Sequence, residues 1–140
     1  MQNEVVATSL QVALTGMYAH PDPFAAVDGL SAEAAGTPID GAPRTIHDLV
    51  GHMVYWQDVT LAWIDGVEPE LPTDPEVPWP AGPAPESEEA WQALVERFAK
   101  GIHRARKLAR KSDLEATMVG REAATVLGTL QVMANHNSYH

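Results

Sequence analysis

The chain has 140 residues, a length that one domain fills and that buries a core without cross-links. It contains no cysteine, which excludes a disulfide framework, a thiolate metal site and a cysteine nucleophile, and its formal net charge of -10 disfavours nucleic acid and anionic lipid surfaces as partners. No stretch approaches the ~20 apolar residues that cross a bilayer, and the N-terminus lacks a basic region leading into an apolar run, so the expected setting is cytoplasmic, away from membranes.

In chain order, residues 3–19 carry Val5, Val6, Leu10, Leu14 and Met17 at helical spacing. His20-Pro21-Asp22-Pro23 ends this first helix, because each proline disfavours helix at the residue before it. Residues 24–43 read as a connector with a short helix around Phe24 to Leu30, closed by Pro38, Gly41 and Pro43. A second long helix begins at Thr45, an N-cap with Asp48 three residues on. Leu49, Met53, Trp56, Val59 or Thr60, and Trp63 form its apolar stripe, and Asp65-Gly66 ends it.

Residues 67–85 hold seven prolines, a density that leaves no room for a regular helix or a central strand. Ser87 caps a third helix with Trp91, Leu94, Val95, Phe98 and Ile102 on one side, and Ser112-Asp113 ends it or restarts a turn. Seven of the nine Lys and Arg residues fall between Arg97 and Lys111, towards the end of this helix, while Glu86, Glu88 and Glu89 stand at its start. That arrangement complements the helix macrodipole better than it marks an anion site. A fourth helix is expected from Arg121 to the last residue, with Val126, Leu127, Leu130 and Met133 inward. No strand alternation is expected anywhere.

The expected fold is therefore all-α, a single domain over 1–140 formed by a four-helix bundle. Its connectivity follows from the linker. Nineteen extended residues reach about 60 Å at ~3.1 Å each, whereas a 20-residue helix is about 30 Å long. A proline-rich crossover of that length can run back along the whole bundle and make the second and third helices parallel, in up-down-down-up order.

The histidines test this order. His136 and His140 are four apart, which places both on one side of a helix and lets both nitrogens address one ion. His52 lies among the apolar positions of the second helix, where a lone histidine is ordinarily a hydrogen-bonded core residue. In plain up-down-up-down order the three would stand at opposite poles. In the crossover order the second and fourth helices are antiparallel and the three converge, so two independent features agree. Three imidazoles leave a coordination position open to water or substrate. Zinc, nickel and ferrous iron all accept them. Asn137 follows His136 where a zinc protease helix carries Glu, which excludes that class. Asp48 belongs to the helix cap or orients an imidazole. Tyr55, Asp58, Asn137 and Tyr139 are further polar candidates, and no general acid or base stands out. His20 is expected in a loop, His47 in solvent about 140° around the helix from His52, and His103 without a partner.

The run Thr45-Ile46-His47-Asp48-Leu49-Val50-Gly51-His52-Met53-Val54-Tyr55-Trp56 resembles the first-ligand helix of the DinB/YfiT-like metalloenzymes, and His136 with His140 resembles their second motif. The connector from Phe24 to Pro43, with Gly-Leu-Ser-Ala-Glu inside it, resembles the stretch before that helix. The resemblance implies an up-down-down-up four-helix bundle and a divalent metal on His52, His136 and His140. It also implies a low-molecular-weight thiol such as bacillithiol or mycothiol as co-substrate, activated as thiolate. Members of that family continue the last helix past the final ligand, whereas this sequence stops at His140.

Two functions follow as expectations. One is a metal-dependent enzyme, an S-transferase acting through such a thiol or a hydrolase acting through water, on a small-molecule substrate. The other is a non-catalytic helical interaction protein with a structural or vestigial metal site, working as a homodimer through faces such as those of Trp63 and Trp91.

Overall fold

The computed structural model describes residues 2–140. The first helix, α1 (Gln2–Thr15), is shorter than its apolar pattern suggested, because Gly16 takes a left-handed φ of 74° and turns the chain. Met17 and Val5, expected inward, are exposed, and Leu10 and Leu14 carry the packing. The expected helix at Phe24 to Leu30 is a series of hydrogen-bonded turns. The connector's helix instead is α2 (Ala32–Gly36), where the Ser31 hydroxyl accepts the amide of Ala34.

Helix α3 (Ile46–Ile64) starts as expected. Thr45 and Asp48 form a reciprocal capping box, with each side chain accepting the other's backbone amide. Its buried stripe is Val50, Met53, Val54, Gln57 and Leu61 together with His52, rotated from the anticipated one, so Trp56, Thr60 and Trp63 are only half-buried. Residues 67–85 contain neither helix nor strand. Helix α4 (Glu88–Lys111) buries Trp91, Val95, Phe98, Ile102, Ala105 and Ala109 at alternating spacings of four and three, and Ser112 caps it.

The last helix departs from expectation. It begins at Val126, not Arg121, and is preceded by a hairpin of β1 (Thr117–Met118) and β2 (Arg121–Thr125). Gly120 turns this hairpin at φ 72°. The N–H groups of Val126 and Leu127 donate to the carbonyls of Ala116 and Leu114 at 3.0 and 2.9 Å, and that of Gly128 donates to the Thr125 hydroxyl at 3.2 Å. Three amides that would otherwise lack helical partners are thereby satisfied, which sets the start of α5 (Val126–Tyr139).

The protein is thus mostly helical, with one small two-stranded sheet among the described residues. Helix α3 packs on α4 and α5, and α1 packs on α4 and α5. Helices α3 and α4 run the same way: Asp58 pairs with Arg97, and seven residues further along both helices Asp65 pairs with Arg104. Helices α3 and α5 run oppositely, since His52 near the start of α3 meets His136 near the end of α5. One core cluster gathers Val27, Val50, Val54, Trp91, Phe98 and Ile102, and a second gathers Leu10, Leu14, Leu61, Ala105, Leu114 and Leu130. Large side chains such as Trp91 and Phe98, both 0% exposed, each contribute roughly 1.5–3 kcal/mol by leaving water. No helix is long and apolar enough to cross a membrane among the described residues.

The linker returns along α3 from its end to its start. Leu71 lines one cavity with Trp63, the Pro78 carbonyl contacts His52, and the Pro83 carbonyl accepts the Thr45 hydroxyl at 2.6 Å. The contact is close. A Cβ on Gly51 would fall 2.4 Å from Pro80 Cγ, and one on Gly36 2.5 Å from Ala84 Cβ. Thr45 therefore works twice, as N-cap and as linker anchor. Replacing it by Val keeps the volume but leaves the Asp48 amide without its hydroxyl acceptor and the Pro83 carbonyl without its donor. Thr45→Val is expected to lower urea-unfolding stability by about 1–3 kcal/mol, with Thr45→Ser retaining most of it.

Candidate metal centre

Helix α3 supplies His52 on its inward side, and the last turn of α5 supplies His136 and His140 one turn apart. One nitrogen from each ring lies within 4.8 Å of the others. The ring centroids are 5.0 Å (His52–His136), 4.9 Å (His52–His140) and 4.6 Å (His136–His140) apart. His52 is buried, and the other two are half-buried. No carboxylate belongs to the group.

The linker orients His52. The Pro78 carbonyl lies 3.3 Å from His52 Nδ1, which favours the tautomer that donates there and leaves the lone pair on Nε2. The Trp79 indole stacks on the imidazole, with centroids 3.9 Å apart and planes 11° apart. The Arg44 guanidinium lies 4.3 Å over the other part of this stack, on the Trp79 ring, and is bound to both Glu76 oxygens at 3.0 and 2.9 Å. The stacked indole thus fixes the plane of His52, and Arg44 packs on the same indole.

His52 Nε2 and His136 Nε2 face each other at 3.2 Å. Two lone pairs at that separation repel unless a proton or a cation lies between them. The distance is close to the ~3.3 Å nitrogen–nitrogen edge of a tetrahedron whose metal–nitrogen bonds are ~2.0–2.1 Å. The donor set is therefore compatible with a metal site.

Electrostatics point the same way. Burial, then the proximity of His140 and His52, pushes the His136 imidazole down to about 4, opposed weakly by the Asn137 amide. His52 is lowered first by burial and then by His140, with Arg44 adding to the effect and the Pro78 carbonyl opposing it. Burial also lowers His140. All three imidazoles are held neutral near pH 7, the form that donates to a metal.

A buried polar bridge lies beneath. Asn137 Nδ2 donates to Gln57 Oε1 at 3.3 Å, and Gln57 Nε2 reaches the Phe98 carbonyl at 3.5 Å, joining α5, α3 and α4. Gly101 makes room for it, since a Cβ there would sit 2.9 Å from Gln57 Nε2. Asn137 Oδ1 is buried without a hydrogen-bond partner.

The other sequence candidates lie elsewhere. Asp48 belongs to the cap of α3. Asp58 pairs with Arg97, and Tyr55 lines a cavity against α4 and the linker. Tyr139 is 85% exposed. His20 contacts the neighbouring Pro21 carbonyl. His47, expected in solvent, is half-buried 6.5 Å from the Trp91 ring, with Nδ1 buried and unpartnered. Sequence reasoning missed Arg44, Gln57, Pro78 and Trp79. A lone tryptophan in a proline-rich linker was the one available signal, and it does not say which helix the ring will cover.

The sequence pattern of the DinB superfamily matches residues 22–140, a span that includes all three histidines. No curated protein and no solved structure matches the chain significantly.

The depressed imidazoles set a pH dependence for the metal-free protein. Each folded value lies below the unfolded 6.5, so between the two the unfolded chain binds more protons. Stability is complete above 6.5 and falls as pH drops towards about 4, the value for His136. Urea midpoints measured in EDTA across this window are expected to decline, and to decline less in His136→Gln. An equal slope in both proteins would contradict the assignment.

Proposed function

The chain belongs to the DinB superfamily, and from that premise we propose that it is a metal-dependent enzyme acting on a small molecule, with His52, His136 and His140 as the ligands of one divalent ion. The observation that carries this reading is the convergence of three neutral imidazoles from two helices, with no carboxylate among them. A zinc, nickel or ferrous ion held by neutral donors alone keeps its double positive charge, which stabilises a bound thiolate or hydroxide over the protonated form.

The residues around the site do the rest. His52 and His136 present Nε2 lone pairs to the same point. The Pro78 carbonyl holds the tautomer of His52, and Trp79 covers its face against water. We read the nucleophile as a low-molecular-weight thiol of the bacillithiol or mycothiol kind, transferred to an electrophile, with water and hydrolysis as the other chemistry open to the site. A free thiol ionises at about 8.5, far closer to neutral pH than water does. An ion with no acidic neighbour therefore holds it as thiolate more readily than it holds hydroxide, which favours the thiol. We further read α1, α3, α4 and α5 as a four-helix bundle in up-down-down-up order. The parallel α3–α4 pair and the linker lying along α3 support that reading.

The metal content of the purified protein, measured by mass spectrometry beside the His52→Ala/His136→Ala double variant, tests this. Near-stoichiometric metal is expected in the parent and little in the variant, with thiol-transfer activity lost on chelation and restored by the metal. A parent that takes up no ion, even when zinc, nickel or iron is offered, would overturn the reading.

A further inference from the structure

A cavity of about 420 Å³ runs between α3, α5, β2 and the first part of the linker, a size within the range of small-molecule sites. Trp56, Trp63, Leu71, Ala124 and Val132 make it largely apolar. At one end stands Arg121, its guanidinium 5.7 Å over the Trp63 ring. Among the described residues no carboxylate forms an ion pair with it; Glu68 lines an adjoining hollow with Arg121 without pairing. At the other end a smaller hollow of about 90 Å³ shares Trp56, Thr60 and Val132 with the cavity and is lined by His136 and Asn137. The apolar trough therefore leads from an unpaired cation to the histidine cluster.

Gly128 lines this trough, and nothing in the fold asks for a glycine there. It is not among the positive-φ glycines, and a Cβ would meet only Thr125 Oγ1, at an ordinary 3.5 Å. Glycine is a poorer helix former than alanine, by up to about 1 kcal/mol in a helix interior. What its missing side chain leaves is open space in the trough wall.

We propose that this trough binds the electrophilic substrate, and that the substrate is an elongated apolar or aromatic body ending in a carboxylate. The carboxylate sits on Arg121, where the guanidinium offers a charge-assisted fork. The apolar body lies between the two tryptophans and past Gly128, and the reacting end reaches the hollow beside His136, which Asn137 also lines. This deepens the metalloenzyme reading and rests on it.

Two probes with the same aromatic body separate charge from shape: 8-anilinonaphthalene-1-sulfonate, which is anionic, and N-phenyl-1-naphthylamine, which is neutral. Fluorescence titrations would use the parent, Arg121→Gln and Gly128→Leu, with metal content measured on the same samples. Arg121→Gln is expected to weaken the sulfonate by about tenfold, the low end for a hydrogen bond to a charged group, and to leave the neutral amine unchanged. Gly128→Leu, which fills the trough, is expected to weaken both probes at least as much while the metal stays bound. Parent-like binding of both probes in both variants, with metal present, overturns the trough and leaves the metal site standing. The expected probe pattern in a parent that holds no metal supports the trough as a binding site and removes the metal chemistry alone. Should Gly128→Leu fail to fold, an undiminished sulfonate affinity in Arg121→Gln overturns the proposal by itself.

Discussion

The contact between the proline-rich linker and α3 is the constraint on which the rest depends. The linker leaves the end of α3 and lies back along that helix to its start, anchored by the Thr45–Pro83 hydrogen bond and pressed onto Gly51 and Gly36. That return puts the start of α4 beside the start of α3, so the two helices run the same way. It also carries the Pro78 carbonyl and the Trp79 ring to His52. A shorter connection would reverse α4 and strip the imidazole of both its hydrogen-bond partner and its cover. Prolines suit the task because extended chain with few amide donors can run over a helix without leaving many of them unsatisfied.

The histidine centre combines rigid supports with an awkward electrostatic state. Burial disfavours protonation of all three imidazoles, and crowding lowers His52 and His136 further. The arrangement costs stability at acid pH and has no structural benefit of its own that equals a packed apolar cluster. Beneath it the Asn137–Gln57–Phe98 bridge ties three helices at one level. A buried amide chain of this kind fixes helix register, because any slip would leave its groups unpaired in low dielectric. The histidines inherit that register: His136 is the residue next to Asn137, and Gln57 follows His52 by five positions along α3.

The small hairpin has an architectural role at the opposite end of α5. Leu114 and Ala116 just before it and Thr125 at its end satisfy the first amides of that helix, and the hairpin buries Met118 against the second core cluster. It also places β2 as a wall beside α3, so that a trough exists between hairpin and helices where a longer α5 would have continued in solvent. Trp63 links the two, donating its indole N–H to the Val119 carbonyl at 2.8 Å.

Much of this was legible from residue patterns. Local signals are strong where they are short-range: the Thr45–Asp48 box, Ser87 and Ser112 as caps, and proline density in residues 67–85 all specify backbone states within a few residues. The spacing of His136 and His140 with His52 on an inward position brought out the histidine cluster, because helical periodicity determines which residues share a face. The segment Arg121–Thr125 was misread because Arg-Glu-Ala-Ala has good helix propensity, and only pairing with Thr117–Met118 overrides it. The stripe on α3 was rotated for a similar reason, since Gln57 counts as polar in sequence yet is 1% exposed beside Gly101. The sequence by itself determined where α3 and α4 begin, that residues 67–85 form no helix, and which histidines can share one site. Tertiary structure alone decided what covers His52, where the amide bridge closes and how an unpaired arginine comes to face an apolar trough, because these depend on contacts between residues far apart in the chain.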